Sequence, residues 1–507
     1  MGDENDDGAS TLATQGGIGL AGNVVGKLLG FLFVAVATRL TSSSEYGTFV
    51  LGLSIVIFVQ GFASLSIHRS LDYFVPKYLT ELNYGQAKRT LQNAFVIGIV
   101  SSMIGAILLV ISRGYIESVF EEPQLGFVLL IFCLLIPIQT INDILLTTFN
   151  SVKEIKYRVL MKNIINPITR TISIIILLYW GAGIIGLVGG HLIGISVTIL
   201  FGITFFLYEL DWFRETTAQP ISNRALISYS LPLVLAGVIY SIVGQIDFFV
   251  IGYYLTSSKV GQYQVAYLLG SNLLIVLTAI TPIFKPMIAE ASSDTATIRR
   301  RFQLATRWVT MLSLPIAITL ALAPEAYLSI FFTNEYTAAN TALIALVIGY
   351  MLNAFSGPEG MVLEGLGFTR LTLFNSILLV VINVILDIIL VPRMGILGAG
   401  IGTASALTVA GFAGIIEIYF FKNIHPYTSQ LFRTYLAAVI PILLGWSLAS
   451  KLDSEILIAV ALPIVVVISY VYMLTLTGAF SSDDKQIAHK IDDKMGYPVF
   501  SKIIHLN

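Results

Sequence analysis

Six charged residues lie inside otherwise apolar runs: Lys27, Asp143, Arg170, Asp247, Lys285 and Asp387. A charge at the centre of a bilayer costs about 3 kcal/mol on insertion scales, so each needs a partner, water or a ligand. The chemistry open to them is electrostatic. Cations can hold an anionic head group, and carboxylates can take up and release H+ or Na+ as their charge is neutralised in different states. Lys27 sits about 13 Å along its helix, among Gly19, Gly22, Gly26 and Gly30, a spacing that permits close helix contact or a bend. It must face water, a carboxylate or an anionic ligand. Asp247, beside Gln245, is one such carboxylate: a Lys27–Asp247 pair would either fasten two parts of the molecule or line a polar cavity, and a pair broken during transport does both. Asp143 and Arg170, on adjacent helices, are expected to form a structural pair. Asp247, Asp143 and Asp387 are the deep carboxylates available for ion coupling, with Asp247 the first choice. Arg39, Arg69, Asp72, Glu364 and Glu417 lie near enough to span ends for their heads to reach the interface. His191 and Tyr179 read as packing residues.

The elements that must position these residues follow from composition. Of 507 residues, 56% are apolar and only 12% charged, with a net charge of -1. A soluble chain of this length carries far more charge, so the solvent for most of this one is lipid. Apolar runs of bilayer length give about 14 spans, beginning near Ile18, Tyr46, Leu91, Leu125, Asn163, Ile184, Ala225, Gly261, Phe302, Thr341, Thr369, Gly395, Leu431 and Glu455. Loops after even-numbered spans, with the C-terminal tail, hold about 22 Lys and Arg against about five in loops after odd-numbered spans, which places both termini in the cytoplasm. Prolines within spans, among them Pro137, Pro167, Pro232, Pro315 and Pro358, predict kinks.

The chain repeats itself. Leu255-Thr-Ser-Ser-Lys-Val-Gly261-Gln-Tyr263 echoes Leu40-Thr-Ser-Ser-Ser-Glu-Tyr-Gly47-Thr-Phe49 with one single-residue gap. Further on, Arg158, Asn163, Gly183, Gly186 and Gly190 match Arg370, Asn375, Gly395, Gly398 and Gly402 at a constant offset of 212 residues. Six spans per copy is an even number, so both copies face the same way and a cavity is expected between them at mid-depth. The fold class is thus an all-α integral membrane protein, two six-helix bundles related by a parallel duplication plus two C-terminal helices. The expected divisions are an acidic cytoplasmic tail (1–17), the first bundle (18–210), a cytoplasmic linker (211–224), the second bundle (225–421), two extra helices (431–477) and a cytoplasmic tail (478–507). In that last tail Ile487, Ile491 and Met495 share a helical face that either lies on the inner leaflet or is solvated.

Other function classes find little support. There is no P-loop, hence no ATP hydrolysis by this chain, and the five histidines lack metal spacing. The lone Cys133 reads as a packing residue. Nothing indicates an enzyme, a resident cofactor or a nucleic-acid partner.

The runs GKLLGFLFVAVATRLTSSSEYGTF, SLDYFVPKYLTE, IDFFVIGYYLTSSKVGQY and VPRMGILGAGIGTA resemble the polysaccharide biosynthesis proteins, the oligosaccharide flippases of the multidrug/oligosaccharidyl-lipid/polysaccharide exporter superfamily, with a flavour of archaeal members. The resemblance implies a cavity lined by spans one, two, seven and eight, through which a lipid-linked oligosaccharide on a polyprenyl or dolichyl phosphate or pyrophosphate carrier passes to the outer face of the plasma membrane. It also implies a cationic cavity, for which Lys27, Arg39, Arg69 and Lys285 would supply charge and Asp72 and Asp247 would be partners. Glycan-assembly enzymes are the protein partners such a role suggests. Two rivals remain: an ion-coupled multidrug or metabolite antiporter of the same superfamily, which deep lysines disfavour, and a membrane glycan polymerase or ligase, which short outer loops disfavour.

The charge distribution makes a direct prediction. Green fluorescent protein fused after Asn507 should fluoresce, and alkaline phosphatase fused there should be inactive; active phosphatase would invert the assigned topology.

Overall fold

The computed structural model describes residues 3–481 together with Asp484, Gln486, Asp492 and Asp493, and its regular elements are all helical among these residues. The chain divides into two compact units, Met1–Gln264 and Val265–Asn507. The first holds α1 (Asp3–Leu40), α2 (Ser43–Ala63), α3 (His68–Thr80), α4 (Tyr84–Phe120), α5 (Leu125–Phe132), α6 (Leu135–Ser151), α7 (Ile155–Val159), α8 (Asn166–Tyr179), α9 (Gly183–Glu209), α10 (Asp211–Glu215), α11 (Asn223–Tyr254) and the start of α12 (Ser257–Ser271). The second continues with α13 (Ile275–Glu290), α14 (Thr295–Leu322), α15 (Pro324–Phe331), α16 (Asn340–Ser356), α17 (Glu359–Gly365), α18 (Thr369–Met394), α19 (Ile396–Lys422), α20 (Ser429–Leu436), α21 (Val439–Ala449) and α22 (Glu455–Leu476). Among the described residues, 12 helices are long and apolar enough to cross a membrane, or 13 with the bent pair α5–α6 counted as one span. Thirteen of the 14 expected spans coincide with these, and the seventh coincides with α11, a 32-residue helix. The protein is a multi-pass membrane protein.

Proline chemistry explains several breaks. Pro137 has no N–H to offer the Cys133 carbonyl, and α5 and α6 meet there at a 40° bend. Cys133 itself donates its thiol to the Leu130 carbonyl at 2.9 Å, as a small packing residue would. Pro167 likewise leaves the Asn163 carbonyl without its usual donor, and the preceding segment Leu160–Ile165 opens into a π turn. Gly357, at φ 73°, ends α16 just before Pro358. At the N-terminus, α1 begins at Asp3, within the acidic stretch. The face carrying Ile487, Ile491 and Met495 lies outside the described residues.

The repeated motif packs against its own copy. Ser43 and Ser258 hydroxyls meet at 2.8 Å, and Ser44 and Ser257 at 3.0 Å. A Cβ on Gly261 would stand 2.6 Å from the Ser43 carbonyl oxygen, and one on Gly47 would run into the Ser257 carbonyl. The contact is reciprocal, and this fixes the register: Ser43 corresponds to Ser257 and Ser44 to Ser258, an offset of 214 that needs no gap. Each copy opens a helix, α2 capped by Ser42 with Glu45 closing a capping box, and α12 at Ser257. Packing also explains why the first compact unit extends past the 211–224 linker. Helix α11 lies against α2, α3 and α4 and is carried with them.

The second set of repeats shows the same economy. Helices α8 and α9 turn at Gly183 (φ 49°), and α18 and α19 turn at Gly395 (φ 62°), its equivalent. Gly186 then lies against Leu178, and Gly398 against Leu390, both pairs related by the offset of 212. These glycines let two helices approach backbone to backbone. In the second unit, α14 buries Arg307, which donates to Asp484 at 2.7 Å while Trp308 Nε1 donates to the same carboxylate at 2.9 Å, fastening the C-terminal segment.

The Gly47 and Gly261 contact is testable. Gly47→Ala and Gly261→Ala should each lower the thermal midpoint of the purified protein, by overpacking of about 1–3 kcal/mol. Gly30→Ala, with open space around it, should be neutral or stabilising. Equal midpoints for all three variants would remove the contact from the account.

Candidate functional site

The glycine stripe of α1 does what its spacing suggests. Gly22 and Gly26 lie against Val159 and Asn163, so α1 packs closely on the π turn ahead of Pro167. Asn163 donates to Asn23 Oδ1 at 3.2 Å across that seam. Lys27 follows one turn after Asn23 on the same side of α1 and is partly exposed. Arg39 occupies the last turn of α1, where a cation complements the helix dipole, and is exposed.

Around α3, Arg69 is partly exposed and lies close to where a side chain on Gly237 of α11 would stand. Asp72 accepts from Asn150 Nδ2 at 2.9 Å and Ser151 Oγ at 3.5 Å, and Arg158 Nη1 reaches Asn150 Oδ1 at 3.4 Å. Asp72 therefore belongs to a polar chain joining α3, α6 and α7.

Asp247 is the buried carboxylate of the repeated motif, 6% exposed. The Tyr263 hydroxyl donates to its Oδ2 at 2.5 Å from across the turn between α11 and α12. This bond satisfies one oxygen of a carboxyl group buried within the helix pair. Register links it to the first copy: at an offset of 214, Asp247 and Tyr263 correspond to Phe33 and Phe49, whose rings lie 6.4 Å apart. One contact is apolar in one copy and polar in the other.

In the second unit Lys285 of α13 forms a salt bridge with Glu364 of α17. Asp387 of α18 is fully buried where α19 presents Gly402, next to Asn383, which donates to Thr403 Oγ1 at 3.5 Å.

The expected Asp143–Arg170 pair does not form. Asp143 accepts from Gln139 Nε2 at 2.8 Å one turn back on α6 and is attracted by Lys162 of the π turn. Arg170 lies over the Phe33 ring instead, its guanidinium carbon 3.7 Å from the centroid. The reason is rotation about α8: Gly194 of α9 presses on the Arg170 backbone, and the side chain leaves on the side of α1. Sequence reasoning also missed Glu364 as the partner of Lys285, though Lys285 was visible as a deep charge and Glu364 as one near a span end. It missed Tyr263 as well, although Tyr263 stands in the repeated motif. Among the described residues no group of three or more His, Cys, Asp or Glu comes together as a metal site.

A family model described as polysaccharide biosynthesis protein matches residues 36–341. The chain is similar to the probable low-salt glycan biosynthesis flippase Agl15 of Haloferax volcanii, 26% identical over 249 residues, 49% of this chain and 52% of that protein, so the match spans about half of that relative. Its fold is similar to that of the lipid II flippase MurJ in an inward closed conformation, with a TM-score of 0.70 at 15% identity over 90% of this chain and 97% of the other. It is also similar to an inward-facing multidrug resistance MATE family transporter of the MOP superfamily, with a TM-score of 0.64 at 14% identity over 78% and 94% of the two chains. On the family match, which takes in the motif from its first copy through its second, the chain belongs to the polysaccharide biosynthesis protein family.

Proposed function

We propose that this protein is a flippase that moves a lipid-linked oligosaccharide from the cytoplasmic to the outer face of the plasma membrane by alternating access, for surface polysaccharide or glycoprotein synthesis. The observation that carries the reading is the placement of isolated charges inside apolar helices of a chain of this family, with Asp247 met by Tyr263, Lys285 by Glu364 and Arg170 by the Phe33 ring rather than gathered into one centre. A sugar head exposes many hydroxyls, each costing on the order of several kcal/mol if left unsatisfied in hydrocarbon, and a polar path removes that barrier without bond chemistry. Similarity to proteins named as flippases supports the same reading.

In this reading Lys27, with Arg39 and Arg69, meets the phosphate or pyrophosphate of a polyprenyl or dolichyl carrier. Lys285, bonded to Glu364, is the candidate cation of the second unit. Asp247, held by Tyr263, is the first candidate for coupling to H+ or Na+, with Asp143 and Asp387 behind it. The antiporter reading draws on the same carboxylates and on the MATE likeness. It predicts export of a cationic dye in place of glycan movement.

Deleting the gene should make full-length lipid-linked oligosaccharide accumulate on the cytoplasmic face. Unchanged glycan lipids with reduced dye export would replace the flippase reading by the antiporter one. Lys27→Ala should slow flipping about 10-fold or more with folding intact, the scale of one lost charge-assisted hydrogen bond. Asp247→Asn and Tyr263→Phe should each weaken ion-driven flipping, and their double variant should be no worse than Asp247→Asn alone. Additive losses would mean that the two residues act separately.

A further inference from the structure

Arg170 is left in an unusual position once its pairing with Asp143 is set aside. It lies about 14 Å from the Tyr179 end of α8, and His191 about 12 Å from the Gly183 start of α9, so the shared turn brings both to one depth. Among the described residues Arg170 makes no ion pair and no side-chain hydrogen bond, and its Nε is buried without a partner. The Nδ1 of His191 is buried without a partner as well. Tyr46 and His191 are both near enough to feel the guanidinium charge. Around them stands an aromatic wall: Phe33 beneath the guanidinium, Phe49 5.9 Å and Phe132 6.0 Å from the His191 ring, and Tyr46 stacked on Phe49 at 6.1 Å. The Arg170 side chain nevertheless keeps part of its surface accessible.

A purely structural role does not account for this. Packing against Phe33 asks only for an apolar side chain, and a cation there leaves a buried charge that a ring offsets by less than the insertion penalty. The second copy shows that the helix pair does not need the charge. At the offset of 212, Arg170 and His191 correspond to Ile382 and Thr403, and α18 and α19 pack as closely as α8 and α9. What the guanidinium does offer, with one face on an aromatic ring, is an edge of N–H donors matched to a planar pair of oxyanion oxygens. Neutral imidazole in the appropriate tautomer adds a further donor.

We propose that Arg170 and His191 form an anion-binding site inside the first unit, walled by Phe33, Tyr46 and Phe49, that takes a phosphate-class oxyanion. The anion is either the phosphate of a lipid-linked substrate, which rests on the flippase reading, or free inorganic phosphate, which does not. No carboxylate closes the site among the described residues, so the anion supplies the missing counter-charge.

The test separates these. Purified protein in nanodiscs is titrated with inorganic pyrophosphate at fixed ionic strength, and flipping of a fluorescent lipid pyrophosphate oligosaccharide is measured on the same variants in liposomes. Wild type should bind pyrophosphate saturably, Arg170→Met should lose about 10-fold or more in affinity, and Arg170→Lys should lose several-fold, because an ammonium cannot reproduce the planar donor edge. His191→Phe should lose several-fold, and carries the test should Arg170→Met fail to fold. A parallel fall in flipping assigns the site to the lipid-linked phosphate. Unchanged flipping with lost binding assigns it to a free anion. Unaltered pyrophosphate binding in Arg170→Met, or in His191→Phe and Arg170→Lys together, overturns the proposal. Absence of flipping in wild type that still binds through Arg170 would sink the flippase reading alone.

Discussion

Hydrocarbon offers no hydrogen bonds, so every polar group this chain carries into the bilayer must find its partner within the chain, in trapped water or in a ligand. That constraint shapes the local structure throughout. Backbone groups disappear into long helices, and hydroxyls such as Thr38, Thr140 and Thr171 return to the carbonyl one turn back. Prolines that free a carbonyl are answered by a bend at Cys133 or a π turn before Pro167. The deep charges follow the same rule with different partners: a tyrosine for Asp247, a carboxylate for Lys285, a glutamine for Asp143, a phenylalanine ring for Arg170.

The duplication gives these choices a common frame. Two copies of one helix arrangement share their turns at Gly183 and Gly395 and their glycine contacts, and their motif serines bond reciprocally. On that shared scaffold the chemistry has diverged. Where the first copy has Phe33 and Phe49, the second has Asp247 and Tyr263; where the first has Arg170 and His191, the second has Ile382 and Thr403. Asn163 reaches an asparagine on α1, whereas its equivalent Asn375 donates to Glu417 at 2.8 Å.

Much of this was legible in the sequence because it depends on features local to the chain. Span lengths, the paired glycines Gly183 and Gly395, the proline breaks and the motif echo all follow from composition and spacing. The echo was legible even though its alignment carried a gap that the reciprocal serine contact removes. Side-chain partners were less legible, since a pairing between helices depends on their rotation about their axes. Asp143 and Arg170 stand on neighbouring spans, yet Gly194 turns the arginine toward Phe33. Lys285 and Glu364 are far apart in sequence and meet only because α13 packs on α17.

The account rests on transport of a lipid head group through the protein without chemistry. Reconstitution into liposomes with a fluorescent lipid-linked oligosaccharide tests it most directly, using an impermeant quencher to read how much label is exposed outside. Symmetric labelling should leave about half the signal protected in protein-free vesicles, and the account predicts near-complete quenching once one protein is present per vesicle. Protection unchanged at half in vesicles carrying folded protein, under imposed H+ and Na+ gradients alike, would contradict it.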